Sequence, residues 1–182
     1  TTGSENTAVG REALQANTIA SNNTAVGYQA AYSSNANYTT AVGRRALYST
    51  TSGISNTAMG DYAGYSTTTG QMNVAMGSET FQDNTTGSYN TALGMLALHS
   101  NTTASHNTAV GHQAGYSNTT GLYNTLIGAQ TGYSLTTGHG NTFIGGPSYT
   151  SCGRYITTGS KNTIIGGYDG NQGGLDIRTS SN

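Results

Sequence analysis

Adjacent small and branched apolar positions recur along this chain at a nearly fixed interval, inside a five-residue box whose commonest form is Asn-Thr-Ala-Val-Gly. The boxes start at Asn6, Asn23, Thr39, Asn56, Asn73, Asn90, Asn107, Asn124, Asn141 and Asn162. Successive starts are 17 residues apart, except for 16 between Asn23 and Thr39 and 21 between Asn141 and Asn162. A period this short means one small supersecondary unit stacked on copies of itself. The pattern therefore predicts a rod and not a globule with a central core.

Within the box, the second position is Thr or Val, the third is Ala and later Leu126, Phe143 and Ile164, and the fourth is Val, Met, Leu or Ile. Branched residues in such a run suit a strand. Neighbouring strand residues point to opposite faces, so two adjacent apolar columns require both faces to be covered. One face fills the inside of a narrow coil, and the other needs a second or third copy of the rod. The small third column suits close approach, which makes Ala8, Ala25, Ala41, Ala58, Ala75, Ala92, Ala109, Leu126, Phe143 and Ile164 the candidate subunit contacts. The closing glycine marks a turn with positive φ or a close backbone approach, and the leading Asn suits a stacked amide ladder.

A second small column, Ala13, Ala30, Ala46, Ala63, Thr80, Ala97, Ala114 and Thr131, suggests a second strand in each coil. Thr-Thr-Gly turns such as Thr68-Thr69-Gly70 close the repeat. The expected fold is all-β, a parallel β-roll of about ten coils over residues 1–167. Residues 147–154 carry a loop insertion, and residues 168–182 form a cap or the start of a further module. With strands about 4.8 Å apart, the rod would be on the order of 45–50 Å long. The opening Thr1-Thr2-Gly3-Ser4-Glu5 repeats the linker at Thr119-Thr120-Gly121-Leu122-Tyr123, so the chain reads as a fragment that begins within a repeat.

Composition narrows the function classes. Only 7% of residues are charged and the net charge is -1, which argues against nucleic acid or an anionic membrane surface as partner. The apolar runs are too short for a membrane helix, and no secretory signal is visible. Cys152 is the sole cysteine, so no disulfide forms within the chain. The scattered carboxylates Glu5, Glu12, Asp61, Glu79, Asp83, Asp169 and Asp176 never align in successive repeats as a hydrolytic pair requires, and the chain does not read as an enzyme. His99, His106, His112 and His139 fall in different phases of the repeat, so no metal site or other cofactor is expected within one chain. A site built from three copies of one His would require a trimer axis.

The box with its trailing small residue, as in Asn107-Thr108-Ala109-Val110-Gly111 followed by Ala114, resembles the head repeats of YadA-type trimeric autotransporter adhesins. The stretch from Asn56 to Ser66 also resembles repeats of bacteriophage tail fibres. The adhesin period is nearer fourteen, so the turn here is longer. The resemblance covers roughly residues 1–167. It implies a left-handed β-roll assembled as a homotrimer, extracellular on a virion tail fibre or a bacterial surface, and contacting a cell-surface glycan or protein. An ice-binding or surface-binding solenoid is the alternative, because the Thr column could form a regular array; the apolar neighbours of that column argue against it.

Two groups are candidate contacts for such a receptor. Tyr32, Tyr48, Tyr65, Tyr116 and Tyr133 form an aromatic column that reads either as a sugar-facing surface or as a structural ladder. Tyr149, Arg154 and Tyr155 stand in or beside the insertion and combine residue types enriched at binding hot spots. The same insertion reads equally as an adjustment to a change of coil diameter.

Overall fold

The computed structural model describes residues 2–146 and 151–167. Among them lie ten three-residue strands and no helix: β1 (Thr7–Val9), β2 (Thr24–Val26), β3 (Thr40–Val42), β4 (Thr57–Met59), β5 (Val74–Met76), β6 (Thr91–Leu93), β7 (Thr108–Val110), β8 (Thr125–Ile127), β9 (Thr142–Ile144) and β10 (Thr163–Ile165). Each box supplies one strand, and the strands pair in sequence order as one parallel ten-stranded sheet. Box positions face each other in register, as in Thr57 with Val74, Ala58 with Ala75 and Met59 with Met76. The chain is a β-solenoid of about nine turns. The sequence-predicted cap or module at 168–182 lies outside the described residues.

The glycine after each strand from β1 to β9 is fixed by backbone approach. At Gly60, φ is 142° and an added Cβ would sit 2.4 Å from the carbonyl oxygen of Gly77. No side chain fits there.

Among the described residues the second strand is absent. From the first coil to the eighth the segment after the glycine is an arch whose residues alternate into the left-handed region, as at Tyr62 (φ 53°) and Gly64 (φ 62°). Its amides still run along the rod: Tyr62 N–H donates to the Arg44 carbonyl of the preceding coil at 2.9 Å. Ser66 N–H donates to the Gln82 carbonyl of the following one at 2.9 Å. The arch thus satisfies its backbone without strand dihedrals.

The third column faces the interior, which corrects its assignment as the subunit contact. Ala25, Ala41, Ala58, Ala75, Ala92, Ala109, Leu126, Phe143 and Ile164 are all buried within the single chain, at 0–3% exposure. They are covered by their own coil and its neighbours and have no surface left for another copy. Ala8, in the first described coil, is exposed. The physical reason is space. A coil with one short strand and one arch has a narrow interior that takes a methyl group, so the alternation turns the second and fourth columns outward.

Interior volume is shared between the strand and the arch, within a coil and across adjoining coils. Beside Ala41, Ala75 and Ala92 the arch supplies Leu47, Phe81 and Leu98, whereas beside Ala58 and Ala109 it has Gly64 and Gly115, and Leu47, Leu98 and Leu126 reach in from the neighbouring coils. Where the strand offers Leu126 or Phe143, the arch has glycine. A Cβ on Gly115 would lie 2.7 Å from Leu126 Cδ1, and one on Gly153 would lie 2.5 Å from Phe143 Cδ2.

Two asparagine ladders hold the coils closed. Asn56 Nδ2 donates across its coil to the Gly70 carbonyl at 2.7 Å, and its Oδ1 accepts from Asn73 N–H at 3.0 Å. The pattern repeats at Asn73, Asn107 and Asn124. A second ladder runs through Asn84, Asn101 and Asn118 with 3.1 Å links. It ends where Leu135 takes the next place, leaving the buried Asn118 Oδ1 without a partner. Asn23 Nδ2 is likewise unpartnered; it heads the coil that is one residue short, and there Thr39 Oγ1 donates to the Ala36 carbonyl instead.

Candidate functional site

The outward face of the sheet carries the second and fourth columns. The Thr column, from Thr24 to Thr142, is half-buried. Beside it runs a continuous apolar stripe of Val9, Val26, Val42, Met59, Met76, Leu93, Val110, Ile127, Ile144 and Ile165. Val9, Met59, Met76, Ile127, Ile144 and Ile165 are exposed and the other four half-buried. The repeat places one such side chain on every coil, so the stripe runs the length of the rod.

The tyrosine column forms stacks. Tyr32, Tyr48 and Tyr65 lie with centroids 5.0 and 5.2 Å apart and planes within 12° of parallel. His99, Tyr116 and Tyr133 form a second stack at 5.0 and 5.1 Å. Ring faces are therefore occupied by the neighbouring coil, and solvent meets edges and hydroxyls. This geometry is that of the structural ladder. Flat sugar-facing surfaces are not available along its length.

Arg154 does not sit in an irregular loop. Gly132 N–H donates to the Cys152 carbonyl at 2.9 Å and Ser134 N–H to the Arg154 carbonyl at 3.1 Å, so register is restored by Cys152. Arg154 takes the next level of the ring column, with its guanidinium 5.2 Å over Tyr133 and a bond to Gln130 Oε1. Tyr155 is exposed beside it, and the same guanidinium lies 6.0 Å from its ring. Tyr149 lies outside the described residues.

Three further groupings stand on the surface. Arg45 lies 5.8, 5.6 and 5.8 Å from the rings of Tyr28, Tyr48 and Tyr62. Arg44 sits 4.8 Å over Tyr62 and forks onto Asp61 with two 2.8 Å bonds. That hydrogen bonding from Arg44 holds the Asp61 carboxyl below its ordinary value. Glu12 is lowered too, chiefly by the Gln29 side-chain amide donating at 2.6 Å. The third grouping is an exposed column just before the box, where Tyr89, His106 and Tyr123 stack at 4.9 Å intervals. Its signal is the aromatic pair Tyr89 and Tyr123 flanking His106 at the repeat interval.

Among the described residues no group of His, Cys, Asp or Glu is arranged to hold a metal, and no helix is long and apolar enough to cross a membrane. Cys152 is buried in the small column, and its Sγ donates to the Ile164 carbonyl at 3.4 Å. His99 Nδ1 stands 3.7 Å from Asp83 Oδ2. No protein-family model, curated protein or solved structure matches this chain.

Proposed function

We propose that the chain is a left-handed β-roll that assembles as a homotrimer and forms a projecting, receptor-contacting segment of an extracellular surface fibre, of the phage tail fibre or bacterial adhesin kind. The observation that carries this reading is the apolar stripe from Val9 to Ile165, which a single rod leaves uncovered over its whole length. Soluble monomers rarely expose a contiguous apolar patch of that extent. A closed ring of copies covers it, because each rod presents the same straight ridge. The low charge fits a mechanical and adhesive role. Its partners are then two further copies of itself and a glycan or protein on a target cell.

The test is attachment. The fluorescently labelled chain, presented to a panel of bacterial cells, should bind saturably to some and be displaced by unlabelled chain. An assembled oligomer that binds none of them would contradict the receptor-contacting part of the proposal.

One observation favours the ice-binding alternative. The Thr column faces outward on a parallel sheet in register, and its Ala neighbours point inward. Thermal hysteresis in a freezing-point assay separates the two. The fibre reading predicts none, since the Thr column borders a subunit contact.

A further inference from the structure

Among the described residues the exposed ring column ends at a level that carries no ring. Tyr89, His106 and Tyr123 stack with planes 4° and 12° apart. The next coil continues the same backbone: Tyr123 has φ 59° and Gly140 has φ 67°, and Gly140 N–H donates to the Leu122 carbonyl at 2.9 Å. Gly140 thus occupies the place of the next ring but has no side chain. A Cβ there would meet only Lys161 Cγ, at 3.6 Å. One face of Tyr123 looks into this gap, and Tyr123 is among the most exposed large side chains at 61%. Lys161 stands one level further on. Leu122 and His139, which precede Tyr123 and Gly140 in the chain, are exposed, and His139 Nδ1 is 3.2 Å from Ser160 Oγ.

We infer that this notch binds a pyranose ring of a cell-surface glycan, stacked on the free face of Tyr123 at the level vacated by Gly140. The ladder spacing of 4.9 Å leaves room for a puckered ring, which is thicker than a flat aromatic. The aromatic face packs against the sugar's C–H face, as amphipathic rings do at wet sites, and His139 and Ser160 supply donors and acceptors for the hydroxyls at its edge. The other levels do not offer this. Met72 occupies the level before Tyr89, and Asn22 and Ser55 flank Tyr38. The notch deepens the surface-fibre reading, on which its biological target rests; in a trimer, three notches would add avidity.

The test is saturation-transfer NMR on the full chain with the methyl pyranosides of glucose, galactose, mannose and N-acetylglucosamine. Transfer to ring protons of at least one is expected. It should fall at least fivefold in Tyr123→Ala and in Gly140→Tyr, which fills the notch with the residue type that the column already tolerates at that φ. It should persist in Tyr38→Ala, which removes another exposed tyrosine. Should Tyr123→Ala fail to fold, Gly140→Tyr alone decides. No transfer with any of the four sugars, undiminished transfer in Gly140→Tyr, or loss in Tyr38→Ala would overturn the inference. The readout needs neither assembly nor cells, so a monomeric or non-adhesive chain that binds sugar in the notch would sink the fibre reading and leave this one standing.

Discussion

Cys152 shows how far a residue's chemistry is set by its column. It replaces the Ala or Thr of the small column, and burial pushes its thiol up to about 11. A thiol whose folded value is raised favours folding below its unfolded value and loses that contribution as pH climbs towards the folded one. Stability should therefore fall between about pH 9 and 11, and Cys152→Ala should remove that slope in a melting series. At pH 8 the folded thiol should react with a disulfide reagent far more slowly than the denatured chain. The opposite sign holds at Asp61, whose value is depressed: its contribution is present above the unfolded carboxylate value and is lost as pH falls through the folded one. Because the pair with Arg44 is 55% and 40% exposed, it should contribute under about 1 kcal/mol. The melting-temperature gap between wild type and Arg44→Ala should accordingly be small at neutral pH and close in acid. Gly60→Ala should be costlier, about 2–4 kcal/mol from strained φ and overpacking, visible as a lower melting temperature.

At the scale of the element, the strand and its closing glycine were legible because β-branched residues and an unvarying glycine both have a direct backbone meaning. The box asparagines were legible for a similar reason, since a buried amide repeated at the coil interval has only backbone and its own copies to bond. The arch was not legible. Its left-handed positions hold Glu12, Gln29, Arg45, Tyr62, Leu96 and other non-glycine residues, so no glycine marks them and the small column looks like a strand. Nor does alternation say which of two apolar columns is inside. The small Ala column fits equally a narrow interior and a close contact between rods, and only the volume exchange with the arch decides. That exchange is testable. Leu126→Ala should cost about 2–5 kcal/mol, and Gly115→Leu should clash with Leu126. The double variant should recover part of the combined loss, because the arch then fills the strand's cavity. Strictly additive losses would contradict the exchange. Phe143 packs against Gly153 within the regular coil, so deleting residues 147–150 to restore a 17-residue step should leave the melting temperature nearly unchanged.

For the whole molecule, the proposed subunit contact moves one column, from the buried third position of the box to the outward fourth. Ala75→Arg and Ala92→Arg would put a charge inside the coil, and both should unfold the chain whatever its assembly. The subunit contact is tested instead by Met59→Glu together with Met76→Glu, which point outward and should preserve the β-sheet circular dichroism while separating the copies. The most direct measurement is the solution mass by light scattering, with the wild type beside this double variant. The account predicts close to three times 18.6 kDa for the wild type and a folded single chain for the variant. A wild type that runs as a stable, folded monomer would contradict it.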